Sequence, residues 1–318
     1  MKIKAKNNLE SIEFIAHGGE VPKVTGAGDN APKEIRIHSF KNPVLITDIA
    51  AIAALNSTKR DLLARLLEFP ERVVEYDGIS LRWSDIDYPG VWSPSIDTLL
   101  FAKALRKLFL QKNFSKKIRS FLEIGCGSGF LSKYILKKKI EAKDPVRYAH
   151  LMDINKDALR CASDNLEELR GNTLISYSLN SPKKMLHVIN PYDLVICNPP
   201  YIPKLNENPN NPFEGLFLYE EILKRSGEML RRGSKLIINF SSLSKARLLP
   251  KYKKVFDMRT IYKLRVPLKI PLITAGYSAE SKKWMKYLEK EKEIIIDKKE
   301  KSGYKYWQII EITECSLI

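Results

Sequence analysis

The chain has 318 residues, 44% of them hydrophobic and 29% charged, the proportions of an ordinary globular protein long enough to bury a full core. Lysine and arginine exceed aspartate and glutamate by 17, the four cysteines lack C-x-x-C spacing, and no apolar run reaches the roughly 18 residues that cross a bilayer. These features argue against a membrane span, a disulfide framework and a metal site, and they fit a cytoplasmic protein with a polyanionic partner such as nucleic acid or a ribonucleoprotein.

Residues 1–40 include "HGGEVPKVTGAGDNAPK", rich in Gly, Pro and Asn, and read as a flexible arm. The opening "MKIKAKNNLESIEF" has no apolar stretch of the kind a secretory signal needs. Residues 41–90 read as a small helical domain followed by a hairpin linker. In "PVLITDIAAIAALNS" and "TKRDLLARLLEF" apolar residues recur at three- and four-residue steps, and Pro70 closes the second run. "RVVEYDGISLRW" then places Asp77-Gly78 between two alternating runs, the pair that favours a two-residue hairpin turn.

From 91 to 318 strands and helices alternate. "IRSFLEIG", "RYAHLMDI", "TLISYSL", "YDLVIC" and "SKLIINFS" read as strands, with "GFLSKYILKKK", "KDALRCASDNLEELR" and "GLFLYEEILKRSGEML" as helices between them. Such alternation predicts an α/β fold with a Rossmann-like, doubly wound parallel sheet. Two later strands, around "MRTIYKL" and "YKYWQIIEI", flank a basic helix near Lys282 to Lys292. About half of the positive surplus falls in this last quarter, where Trp284, Tyr287, Tyr304 and Trp307 could stack on bases or pack the edge of the sheet.

"FLEIGCGSGF" sets Gly125, Gly127 and Gly129 between a strand and a helix, where a sharp turn and a close ligand both exclude a Cβ. Asp153 follows at the end of the next strand, 24 residues past Gly129, where a carboxylate accepts hydrogen bonds from ribose hydroxyls. G-x-G-x-G, with Glu123 two residues before it, differs from the G-x-G-x-x-G of nicotinamide enzymes. It resembles motif I of class I methyltransferases, whose cofactor is S-adenosylmethionine.

The strand "YDLVIC" ends on "NPPYIP". The Asn198 side-chain oxygen and the Pro199 carbonyl can accept the two N–H bonds of a planar –NH2, aiming its lone pair along a donor S–CH3 axis. Pro200 fixes that carbonyl, and Tyr201 can stack on the flat acceptor. The loop therefore reads as a clamp for a planar amino group.

N-P-P-Y with a glycine loop is similar to amino-directed methyltransferases in general, and "CNPPYIP" followed by "FEGLFLYEEILKRSGEMLRRGSKLIINFS" resembles the HemK/PrmC family of protein-glutamine N5-methyltransferases. The resemblance runs over roughly Leu62 to Ser242, including the hairpin and the proline-centred "VWSPSIDT". It implies a small helical N-terminal domain and a seven-stranded methyltransferase sheet whose first and fourth strands lie side by side. By that resemblance Glu123, Gly125, Cys126, Gly127, Gly129, Asp153 and Ile154 hold S-adenosylmethionine, Pro94 and Thr98 line the cofactor mouth, and Asn198, Pro199, Pro200 and Tyr201 hold the acceptor. Ser93 and Ile96 stand where the family's P-R-P-E-T has arginine and glutamate, with Asp97 as a nearby carboxylate. The family's Asp after the third strand is absent, and Asn180 or Ser178 is offered in its place. The implied acceptor is a glutamine in a translation protein such as a release factor; the charge keeps an RNA base amine open as the alternative. A small activating subunit is a further candidate partner.

Overall fold

The computed structural model describes residues 12–17, 71–84, 87–92, 94, 96–180, 191–203, 215–267, 279–290, 295–296 and 306–318. The helices expected over residues 41–70 lie outside these. Within the segment expected to be an arm, Ile12–His17 forms a strand, β1, antiparallel to β2 (Glu71–Tyr76). The short apolar alternation of "IEFIAH" suits an edge position on the hairpin, a local signal outweighed in the sequence by the surrounding glycines and prolines. β2 turns at Asp77 and Gly78, both left-handed with φ of 52° and 76°, into β3 (Ile79–Ser84).

The remaining elements are α1 (Ile96–Phe109), α2 (Lys112–Ser115), β4 (Ser120–Ile124), α3 (Phe130–Glu141), β5 (Tyr148–Asp153), α4 (Lys156–Leu166), β6 (Leu174–Leu179), β7 (Tyr192–Cys197), α5 (Phe217–Met229), β8 (Leu230–Ser241), α6 (Ser242–Tyr252), β9 (Phe256–Pro267), α7 (Ala279–Lys290), β10 (Ile295–Ile296) and β11 (Tyr306–Leu317). The sheet runs β6-β5-β4-β7-β8-β11, with β9 and β10 both on β11. It is parallel from β6 to β8, and β11 returns antiparallel against β8 and β9. This is the doubly wound sheet expected, with eight strands rather than seven because Ile295–Ile296 adds a short piece beside β11. β4 and β7 are neighbours, Ile124 opposite Cys197, as the resemblance implies.

Two apolar layers hold the sheet. On one face α1, α3 and α4 cover it, with Phe101, Leu105, Tyr134, Ile135 and Cys161 packed against Phe121, Leu151, Leu194 and Ile237. On the other, Tyr219, Ile222 and Tyr252 of α5 and α6 lie on Leu122, Val195, Leu236 and Phe240. Both faces of the central strands are thereby buried, which is why they read as continuous apolar runs instead of alternations. Each buried large side chain contributes about 1.5–3 kcal/mol, so the three-layer stack dominates stability.

The hairpin is clipped to this body. Tyr134 donates its hydroxyl to Asp77 at 2.8 Å, the Arg82 backbone N–H donates to Asn165 Oδ1 at 3.2 Å, and Asn165 Nδ2 returns a bond to the Arg82 carbonyl at 2.9 Å. Trp83 Nε1 donates to the Val91 carbonyl at 2.8 Å, and Asn155 Nδ2 to the Pro89 carbonyl at 3.3 Å. These bonds press residues 89–91 against the carboxyl ends of β4 and β5. Among the described residues no helix is long and apolar enough to cross a membrane.

Candidate active site

A cleft opens at the carboxyl ends of β4, β5 and β7, where a doubly wound sheet binds ligands. It is lined by Gly125, Cys126, Gly127 and Ser128 after β4, Met152, Asp153, Ile154 and Asn155 after β5, and Asn198, Pro199, Pro200 and Tyr201 after β7. Gly90, Val91, Trp92, Pro94, Asp97 and Thr98 form its mouth, and Glu123, Asn180 and Leu218 also reach it.

The glycine loop folds as it does because the backbone demands it. Gly125 and Gly127 have φ of +68° and +51°, and the Gly125 and Cys126 amides donate to the Met152 carbonyl at 2.8 and 3.1 Å, crossing to β5. A Cβ on Gly125 would meet nothing within 4 Å, which leaves open space for a ligand against bare backbone. Asp153 is pinned beside it: Oδ2 accepts from Gly127 N and Oδ1 from Asn155 N, each at 2.9 Å. With the Ile154 N–H as a third backbone donor, the carboxylate keeps acceptor capacity for a ribose hydroxyl. Burial raises the Asp153 carboxyl above its ordinary 3.8, opposed by those backbone bonds.

Gly129 is a correction. It does not line the cleft; with φ +81° it precedes α3, and a Cβ there would lie 2.9 Å from Ala162 Cβ on α4. Its role is close helix packing. Glu123, which reaches the cleft, also has a structural partner. Its Oε2 accepts from the Ser132 backbone N–H at 3.0 Å and from the Ser132 hydroxyl, capping the otherwise uncapped start of α3. Burial pushes its carboxyl up to about 8, partly offset by the Ser132 bonds. Cys126 is buried and its thiol pushed well up by burial and by Asp153, so it serves as an inert wall.

Of the two substitutes for the family's third acid, the geometry favours Asn180. It lines the cleft with its backbone N–H on the Asp153 carbonyl at 3.0 Å, whereas Ser178 Oγ meets His150 Nε2 at 2.6 Å.

On the acceptor side, the prolines end β7 so that Asn198 is the first residue beyond the ladder. Asn198 Nδ2 donates to Asp97 Oδ2 at 3.0 Å and lies 3.5 Å from Thr98 Oγ1, while Asn198 Oδ1 accepts from Asn239 Nδ2 at 2.8 Å. Asn239, fully buried on β8, leaves its own Oδ1 without a partner among the described residues. An unpaired buried acceptor costs on the order of 1–3 kcal/mol. Tyr201 packs between the two apolar layers and lines the cleft, its phenol pushed well up first by burial and then by Asp97.

Asp97, Asn155 and Asn239 thus join the site from three distant parts of the chain. Asp97 stood out in the sequence as a carboxylate in the entry segment, whereas Asn239 shows only as an amide interrupting the apolar run "KLIINFS". Of the four C-terminal aromatics, Trp307 is 7% exposed with Arg265 4.6 Å from its ring centre, so it packs the sheet instead of offering a face to a base. Tyr287 carries Arg247 at 5.4 Å, while Tyr304 and the Trp284 side chain lie outside the described residues.

The family model of the methyltransferase small domain matches residues 90–262. A candidate protein N5-glutamine methyltransferase of Methanocaldococcus jannaschii is 30% identical over 158 residues, 48% of this chain and 69% of that protein. The ribosomal RNA small subunit methyltransferase C of Buchnera aphidicola subsp. Acyrthosiphon pisum is 32% identical over 121 residues, 38% of this chain but only 33% of its own length. Among solved structures, a ribosomal protein L11 methylase of Lactobacillus delbrueckii subsp. bulgaricus aligns over 70% of this chain and 81% of its own at 13% identity and a TM-score of 0.40. A candidate RNA methyltransferase of Pyrococcus horikoshii does so over 73% and 92% at 12% and 0.40. At such scores the fold assignment rests on the strand order itself.

Proposed function

The chain belongs to the methyltransferase small domain family, and from that premise we propose that it methylates the side-chain amide nitrogen of a glutamine in a translation-related protein. That it is an S-adenosylmethionine-dependent N-methyltransferase is the coarser statement, common to the family match and to both relatives. The residues fit the cofactor: an open glycine cradle, and a carboxylate with lone pairs to spare. When bound, S-adenosylmethionine supplies a methyl group activated by a sulfonium.

The chain's own residues do the rest. Gly125 and Gly127 let the ligand approach the backbone, and Asp153 accepts the ribose hydroxyls. The observation that carries the proposal is the fixed Asn198 amide, held by Asp97 at one end and Asn239 at the other. Its oxygen and the Pro199 carbonyl accept both N–H bonds of the acceptor, which leaves the nitrogen lone pair facing the methyl carbon. Held this way, the acceptor nitrogen would be oriented by Asn198 and Pro199 to take the methyl group that the bound cofactor would supply, and the nitrogen's extra proton would pass to water. No strong base is required. Positioning and fixed dipoles supply the acceleration. The relative named as an N5-glutamine methyltransferase, matched over 69% of its length, supports the glutamine reading.

One observation favours an RNA base as the second reading. Edge strand β9 exposes Arg259, Lys263 and Arg265 on a chain with a surplus of 17 positive charges.

Tritiated S-adenosylmethionine and an extract of cells lacking the gene test both. Label that survives RNase, is released by protease and runs with one protein band supports the glutamine acceptor. Label destroyed by RNase replaces it with an RNA base. The Asn198→Ala protein serves as control, expected to bind cofactor normally and transfer no label.

A further inference from the structure

We infer that Asn239, on β8 and outside every recognised motif, is a positioning residue: its N–H fixes the Asn198 carbonyl in the orientation that leaves one lone pair for the acceptor nitrogen. The word acceptor rests on the function proposed above; the geometry does not.

The polarity of the arrangement is set from one end. Asn198 turns its –NH2 to Asp97, Nδ2 donating to Oδ2 at 3.0 Å. Asn198 therefore turns its oxygen towards β8, where Asn239 Nδ2 meets it at 2.8 Å. With Cys197 paired to Ile238, Asn198 and Asn239 are adjacent positions just past that pairing. One lone pair of Asn198 Oδ1 is occupied from the β8 side, and the other remains for the cleft that Asn198 lines.

A core-filling role does not explain Asn239. It is fully buried in the run from Leu236 to Ser241, where Ile237, Ile238 and Phe240 are apolar, and its own carbonyl oxygen has no partner among the described residues. A leucine of similar size would remove that unpaired oxygen. What only the amide provides is the N–H on Asn198. Removing it leaves Asn198 held from the Asp97 end alone, with its carbonyl unpinned on the β8 side, and a near-attack geometry is sensitive to the added motion.

The test replaces Asn239 with Leu in the full-length protein, with Asn239→Ala as the second variant should leucine not fold. Three readouts are compared with wild type: tritium transfer into the gene-deficient extract, calorimetric affinity for S-adenosylmethionine, and exchange of the Asn198 side-chain amide protons by 15N NMR, assigned by their loss in Asn198→Ala. The expected pattern is a transfer rate at least tenfold lower, cofactor affinity within twofold, an unchanged or higher thermal midpoint, and Asn198 amide exchange at least tenfold faster. Unchanged Asn198 exchange overturns the inference, as does a rate loss that merely tracks a lower thermal midpoint. Should wild type transfer no label, the proposed function fails while the exchange readout alone still decides the role of Asn239.

Discussion

Asp153→Asn is ordinarily a mild change, and here it is not expected to be. Both carboxylate oxygens already accept a backbone N–H at 2.9 Å, Gly127 on one side and Asn155 on the other. Asparagine keeps one oxygen and presents –NH2 in place of the second, so one of those amides must face a donor. If Gly127 is displaced, the glycine loop loses the tie that holds it in its left-handed turn, φ +51°. If Asn155 is displaced, the cap of α4 and the bond to the Pro89 carbonyl at the cleft mouth go with it. Losing one hydrogen bond to a charged group is worth about 1.5–3 kcal/mol. That converts to about a ten- to hundredfold weaker cofactor, since each 1.4 kcal/mol is roughly tenfold in Kd. Isothermal titration with S-adenosylhomocysteine on wild type, Asp153→Asn and Asp153→Ala measures it. An Asp153→Asn affinity within threefold of wild type would refute the claim that this carboxylate holds the loop.

The Asp153 carboxyl is raised by burial, so its accepting form is lost on acidification earlier than an ordinary aspartate's; cofactor affinity should fall as pH drops through that raised value, read by titration from pH 7 downward. Glu123 is raised from 4.5 to about 8, so the unfolded chain releases its proton before the folded one does. Its contribution is fully present below 4.5 and is lost as pH rises through about 8, so Glu123→Gln should gain thermal stability relative to wild type between pH 5 and 9, whereas a constant gap would contradict the assignment. Gly129→Ala places a methyl 2.9 Å from Ala162 Cβ at a left-handed position. It should cost about 2–4 kcal/mol in urea unfolding, with Ala162→Gly restoring the steric part but not the backbone part.

That the glycine loop and Asp153 meet in one cleft was legible in the sequence because their signal is local. A glycine-rich turn after a strand and an acid at the end of the next one sit within thirty residues, and the fold only has to bring strand ends together. Gly129 misled for a physical reason: a glycine admitting a ligand and a glycine admitting a helix are the same letter. The acceptor half was legible only at Asn198 to Tyr201. Asp97 and Asn239 lie 101 and 41 residues from Asn198, so although the sequence showed a carboxylate and an amide there, nothing local told that both meet Asn198. The short strand Ile12–His17 was hidden among turn-forming residues, and the eighth strand is too brief for periodicity to show.

The pairing of Ile124 with Cys197 has a bearing on how this framework could diversify. The glycine loop and Asn198 each begin one residue past that pair, so their relative height is dictated by the hydrogen-bond ladder between β4 and β7. Ladder shifts are quantised: one residue is about 3.3 Å and turns every side chain to the opposite face. Small drifts are therefore unavailable, and large ones destroy the core. Surface loops over the acceptor side are under no such constraint. They can lengthen, change charge or recruit a different macromolecule while the spacing between the glycine loop and Asn198 stays locked, so that what docks over the cleft and the geometry of its floor are inherited separately.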